Sequence, residues 1–248
     1  PDQEWKLHHV IQPVTNFFTA LFFEYGIAAY DLDVKGYLDG TKDKDVFMTD
    51  LKQVLRKLRS QMGKDYVVHP LLSGPSAAST LLANAIANTA RNVWTHSVIF
   101  CGHFPDGVET FETESIEGET RGEWYVRQML GSANITGSRF MHVMTGNLSH
   151  QIEHHLFPDL PSNRYAEIAP RVRVLMERYG LRYVTGPLPK QVASAWRKVF
   201  RYSLPNRRPG HSQLGDVVAA ARVAVGDVVD STRGMWRRDR LGLTAAPA

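Results

Sequence analysis

The chain has 248 residues, 43% hydrophobic and 22% charged, with a formal net charge of +4. That length supports one large domain or two small ones around a sizeable core, and the mild positive excess permits an anionic membrane surface or an acidic substrate while calling for no nucleic-acid partner. Cys101 is the single cysteine, which excludes an intrachain disulfide, nearly excludes thiolate metal chemistry, and fits a reducing, intracellular setting.

The sequence opens at Pro1 and runs almost at once into apolar residues, so the expectation is a piece of a longer protein. Ile11 to Tyr30 is 20 residues long, enough to span a bilayer. Its Ile, Val, Phe and Leu residues favour insertion by about 0.3 to 0.6 kcal/mol each, whereas Glu24 opposes it by roughly 3. Glu24 must therefore face protein rather than lipid; the alternative is a buried helix of a soluble core. A charged loop, Asp31 to Asp45, follows. Phe47, Leu51, Val54, Leu55, Leu58 and Met62 then recur at helical spacing, with Lys52, Arg56, Lys57 and Arg59 on the remaining face. This basic amphipathic helix suits either an anionic membrane surface or the outside of a soluble domain.

Gly74 and Pro75 open a helix predicted from Ser76 to about Cys101. Asn84, Asn88, Asn92 and His96 stand at i+4 steps along it, and His103 continues near that face. The stripe predicts either interhelical hydrogen bonds or a source of ligands, His96 and His103, where the helix leaves the membrane. Pro105 to Gly107 break the helix. Glu109 to Glu123 form an acidic loop, and Trp124 to Asn134 is apolar and aromatic. His142 is expected either in the core or as a support behind the histidine cluster.

Gly146 to Pro158 concentrates the chemistry. On a helix, Gln151, His154 and His155 fall at i, i+3 and i+4 and share one face. Neutral imidazoles converging on a point suit zinc, copper, iron or nickel. Glu153 points off that face, as a partner of a ring N–H or as a plain surface carboxylate. Arg164 to Tyr179 then reads as an amphipathic helix stopped by Gly180, Leu181 to Val184 as a short strand or extended run, and Gln191 to Tyr202 as a helix. Pro205 to Gly210 is a linker, Leu214 to Met235 an amphipathic helix, and the tail is basic through Arg233, Arg237, Arg238 and Arg240.

His96, His103, His150, His154 and His155, with no Asp or Glu ligand pattern beside them, disfavour calcium and magnesium and exceed the needs of one zinc. A multi-histidine iron site fits better. QIEHHLFP at Gln151 to Pro158 resembles the third histidine box of membrane fatty acid desaturases, in the Q-x-x-H-H form of the front-end, linoleoyl-CoA desaturase-like class. PSNRYAEIAPRVRVLMERYGLRY, Pro161 to Tyr183, is similar to the helix that follows that box. GHFPDG, Gly102 to Gly107, resembles the segment carrying a histidine at the cytosolic end of the last membrane helix, and Asn92 with His96 resembles an Asn/His pair of stearoyl-CoA desaturases. The likeness runs from about residue 10 to 202.

The resemblance implies a non-haem di-iron centre that uses dioxygen and two electrons to leave a double bond in a fatty acyl chain. It implies His154 and His155 as iron ligands, then His103 and His96, with Asn92 at the cofactor and no catalytic residue beyond the ligands. Either Gln151 or His150 is the ligand from the first turn of the box; Gln151 is the choice here. Outside the His150 to His155 cluster the sequence has neither of the earlier boxes, H-x(3,4)-H and H-x-x-H-H, so the chain is expected to hold part of a site. No H-P-G-G haem loop appears either, so electrons would come from a separate ferredoxin, flavoprotein reductase or cytochrome b5-like protein.

The expected architecture is all-α: integral membrane helices with a cytosolic helical cap bearing the histidine ligands. Residues 1–104 form the membrane-associated region, 105–204 the cap and 205–248 the basic tail. The expected location is a multi-pass membrane protein with its site on the cytoplasmic side, acting on acyl-CoA or acyl-lipid. The rival readings are a histidine-box lipid or alkane hydroxylase and a catalytically incomplete membrane-bound fragment.

Overall fold

A computed structural model describes residues 5–111, 116–205 and Val223. The architecture is mostly helical, with one two-stranded ladder. A 3-10 turn at Leu7–Ile11 leads into α1 (Gln12–Leu21), α2 (Phe23–Asp31), α3 (Val34–Leu38) and α4 (Lys44–Gly63). A π turn, Lys64–Val68, joins α4 to α5 (His69–Leu72), and the long α6 runs from Ala77 to His103. After it come α7 (Arg121–Leu130), β1 (Asn134–Thr136), α8 (Arg139–Met144), α9 (Gln151–Leu156), α10 (Tyr165–Arg178), β2 (Thr185–Pro187) and α11 (Leu188–Ser203), with short 3-10 turns at Gly74–Ser76 before α6 and Ser162–Arg164 before α10.

The chain divides into two units. Asn16–Ala195 forms one, and Pro1–Thr15 with Trp196–Ala248 the other. In the latter, the indole of Trp5 donates to the carbonyl of Ser203 at 3.0 Å. The helix expected from Leu214 to Met235 and the basic tail lie outside the described residues, apart from helical Val223.

The Ile11 to Tyr30 run is not one spanning helix, which corrects the expectation from length. Phe22, at φ −118° and ψ 34°, leaves the helical region and separates α1 from α2. Among the described residues no helix is long and apolar enough to cross a membrane. The 27-residue α6 has the length, but Arg91 and the asparagine stripe lower its apolar content. Glu24 faces protein, as its charge requires: its carboxylate accepts from Arg91 at 2.6 Å and from Gln61 at 2.9 Å.

The asparagine stripe makes interhelical hydrogen bonds. Asn84 donates to the carbonyl of Asp65 at 2.6 Å, and Asn88 to the Asp65 carboxylate and the Tyr66 hydroxyl, both at 3.1 Å. The side-chain oxygen of Asn92 accepts from the Glu24 amide at 3.3 Å. A buried amide without a partner costs about 1–3 kcal/mol, so these pairs fix which face of α6 the neighbouring segments meet.

Two apolar clusters then frame the C-terminal end of α6. Met129, Ile152, Leu156, Val172 and Met176 pack α7, α9 and α10 together. Val98, Cys101, Ile135 and Leu188 join α6 to β1 and the start of α11. β1 pairs in parallel with β2, Asn134 opposite Thr185. Leu181 to Val184, where a short strand or extended run is expected, forms no strand; β2 begins at the residue that follows. Gly180, at φ +67°, ends α10 and turns the chain toward it.

Candidate metal centre

The QIEHH segment forms α9, and its position is set by Asn134. The Asn134 side-chain oxygen accepts from the Ile152 amide at 2.8 Å, in the first turn of α9. Its amide nitrogen donates to the Glu153 carboxylate at 2.7 Å and to the Tyr183 hydroxyl at 2.6 Å, and Tyr183 donates in turn to Glu153 at 3.0 Å. Glu153 is fully buried. Of the two sequence readings, the surface carboxylate is therefore wrong: Glu153 anchors the helix from the side opposite the histidines. Burial pushes its carboxyl above the ordinary range, while the hydrogen bonds from Asn134 and Tyr183 oppose that shift.

Gln151, His154 and His155 emerge on one face, as their spacing predicts. Gln151 reaches the end of α6, where its amide nitrogen lies 3.2 Å from Nε2 of His103 and 3.1 Å from Nε2 of His155. Two elements 48 residues apart in sequence thus bring three side chains to one point. The His103 and His155 rings are 4.9 Å apart, edge to face, and the His154 ring adjoins His155 at 5.6 Å. Room for the Gln151 side chain comes from Gly102, where an added Cβ would stand 2.8 Å from Gln151 Cγ. Gly102→Ala is expected to leave α6 helical, since alanine is the better helix former, but to displace Gln151. Metal analysis by plasma mass spectrometry should find iron content several-fold lower while circular dichroism is unchanged.

The far sides of the rings are also held. Nδ1 of His155 lies 3.0 Å from Oε1 of Gln128 on α7, and Nδ1 of His154 lies 3.0 Å from the Tyr165 hydroxyl on α10. A hydrogen bond links His103 to the Gly131 backbone. Burial first, then the neighbouring His103 and His154, hold His155 down at about 4 against an ordinary 6.5. Such a group stabilises the fold fully above the unfolded value and loses that contribution as pH falls. The metal-free protein is therefore expected to lose thermal stability between about pH 6.5 and 4. His155→Gln should flatten this part of a Tm-against-pH curve.

The other candidates lie apart. His96 is buried, stacked on Phe100 at 4.8 Å and edge to Phe23 at 5.3 Å. Seven residues before His103 on one helix, it is displaced by ~10 Å along the axis. Asn92 serves the Glu24 amide. His150 precedes α9 and stacks on His142 at 4.7 Å, with Nε2 buried and unpartnered. Sequence reasoning missed Gln128, Asn134, Tyr165 and Tyr183. A capping box, Thr120-x-x-Glu123, marks the start of α7 in the sequence and would have placed Gln128 on a helix.

This donor set fits a transition-metal cation. Both imidazoles turn Nε2 inward, and the Gln151 amide occupies the point on which their lone pairs converge. Its oxygen is buried with no partner, and a half-turn of the amide would bring it to that same point. Two neutral imidazoles and an amide oxygen suit iron or zinc better than calcium. Among the described residues, no three His, Cys, Asp or Glu side chains are grouped to hold a metal by themselves.

Comparison with known proteins identifies the family. The fatty acid desaturase family model matches residues 7–187. An NADPH-dependent stearoyl-CoA 9-desaturase of Mycobacterium tuberculosis is 46% identical over 210 residues, covering 83% of this chain and 49% of the relative. Fatty acid desaturase 3 of Bos taurus is 38% identical over 118 residues, covering 48% of this chain and 24% of the relative. A fatty acid desaturase 2-like protein of Mus musculus is 30% identical over 127 residues, covering 50% and 24%. The chain thus spans about half the length of the mycobacterial relative and a quarter of the other two. No solved structure matches it. With the histidine box, its supporting residues and the end of α6 all inside the matched span, the chain belongs to the fatty acid desaturase family.

Proposed function

We propose that this chain supplies one wall of the iron site of an oxygen-dependent fatty acyl desaturase. The observation that carries the reading is that His103 Nε2 and His155 Nε2 each lie within 3.2 Å of the Gln151 amide nitrogen. His103, His154 and His155 would hold iron through ring nitrogens and Gln151 through its amide oxygen; the remaining donors would come from residues beyond this stretch. When bound, iron supplies the dioxygen chemistry that removes two hydrogens from adjacent methylenes, which side chains cannot do unaided. The chain's own residues orient the ligands and keep water from the far sides of the rings.

The substrate proposed is a fatty acyl-CoA, supported by the relative named for stearoyl-CoA 9-desaturation. Its name also supports NADPH as the source of the electrons; a separate flavoprotein reductase is proposed to deliver them. A bilayer partner is supported by exposed apolar residues such as Phe17, Phe18, Leu71, Leu72, Leu82 and Ile86; the cytoplasmic side for the site is part of the same proposal. In this scheme residues 1–104 associate with the membrane and 105–204 form the cap.

The test is a membrane assay of the full-length protein with stearoyl-CoA, dioxygen, NADPH and a flavoprotein reductase. Mass spectrometry should find an alkene with the double bond at carbon 9. An alcohol would turn the reading to a hydroxylase; an alkene formed equally well by iron-stripped protein would sink it.

A further inference from the structure

We infer that Gln128 is a positioning residue that selects the ring tautomer of His155 and so decides which nitrogen it offers to a metal. The inference rests on the proposed iron site for its function, but its geometry stands independently. A neutral imidazole has one N–H and one lone pair. Nε2 of His155 faces the amide nitrogen of Gln151 at 3.1 Å, a group that can only donate. Nε2 must then be the acceptor, which places the proton on Nδ1. Nδ1 faces Oε1 of Gln128 at 3.0 Å, a group that can only accept. Both contacts require the same tautomer.

The consequence is directional. With Nδ1–H tied to Gln128, the Nε2 lone pair points toward the spot it shares with His103 Nε2. Gln128 is itself held in place: α7 begins at the Thr120–Glu123 capping box, and its neighbour Met129 packs into the cluster with Ile152 and Leu156 of α9. The amide therefore moves with the helix that carries His155. A partner on the far nitrogen of a metal-binding histidine fixes ring orientation and raises ligand basicity. Tyr165 stands in the same relation to His154, but a hydroxyl both donates and accepts, so it sets orientation without selecting a tautomer.

The experiment compares wild type, Gln128→Met and Gln128→Glu in the full-length protein. Methionine keeps the length of the side chain and removes the acceptor; glutamate keeps an acceptor. In metal-free protein, 15N imidazole shifts should show His155 protonated on Nδ1 in wild type and in Gln128→Glu, and a tautomer mixture in Gln128→Met. Affinity for Fe(II) should fall about 10–100-fold in Gln128→Met and be retained in Gln128→Glu. A wild-type His155 protonated on Nε2 overturns the inference whether or not the variants fold. So does Gln128→Met with wild-type tautomer and affinity, or Gln128→Glu with as large a loss as Gln128→Met. A wild-type protein that binds no iron sinks the iron site alone, and the tautomer pattern then decides the role of Gln128.

Discussion

His155→Ala in the full-length protein is expected to abolish iron binding at this wall and to cut desaturation at least ~100-fold, beyond the 10–100-fold cost typical of losing a ligand's hydrogen-bond partner. His155 is the side chain on which the arrangement turns: one ring nitrogen meets Gln151 and the other Gln128. Alanine removes the donor, frees the Gln151 amide and leaves the oxygen of Gln128 without its partner. The informative contrast is His96→Ala. His96 fills an aromatic stack between Phe23 and Phe100, so its loss should lower thermal stability while iron content per chain is kept. Plasma mass spectrometry and acyl-chain profiling on both variants check this. Equal iron loss in the two would mean that the trio near His103 is not the binding wall.

Asn134→Ala carries the largest expected effect on stability, about 3–5 kcal/mol, because it strands several buried groups at about 1–3 kcal/mol each. Its side chain serves the Glu153 carboxylate, the Tyr183 hydroxyl and the Ile152 amide. Alanine takes from the buried carboxyl its Asn134 donor, leaves Tyr183 as its remaining side-chain hydrogen-bond donor, and leaves the first turn of α9 without its acceptor. In a chain of this size that loss lowers Tm by roughly 10 °C. Scanning calorimetry on the metal-free protein separates it from any effect on iron. A shift below 2 °C would show that Glu153 is anchored by other means.

The sequence made the helices legible where apolar residues recur at 3.6-residue spacing, as in α4, α10 and the long α6. It also showed the shared face of Gln151, His154 and His155, because i, i+3, i+4 geometry is local. Length alone misread Ile11 to Tyr30, where the helix breaks at Phe22. The asparagine stripe was read correctly as interhelical hydrogen bonding in one of two alternatives, but extending it to His96 and His103 joined residues with different surroundings. His103 reaches Gln151, whereas His96 sits among phenylalanines. The supporting residues were the least legible part. Asn134 acts on positions 18, 19 and 49 residues away, and Gln128 acts across 27. No periodicity reports a contact made only when α7, α9 and β1 come together.

The central claim is that His103 and His155 present Nε2 to one iron, with Gln151 beside them. Iron-edge anomalous scattering from crystals of the iron-loaded full-length protein tests it most directly. An anomalous peak is expected within bonding distance of both Nε2 atoms and of the Gln151 amide. A peak bound elsewhere, with the His103 and His155 rings left in their mutual contact through Gln151, would contradict it.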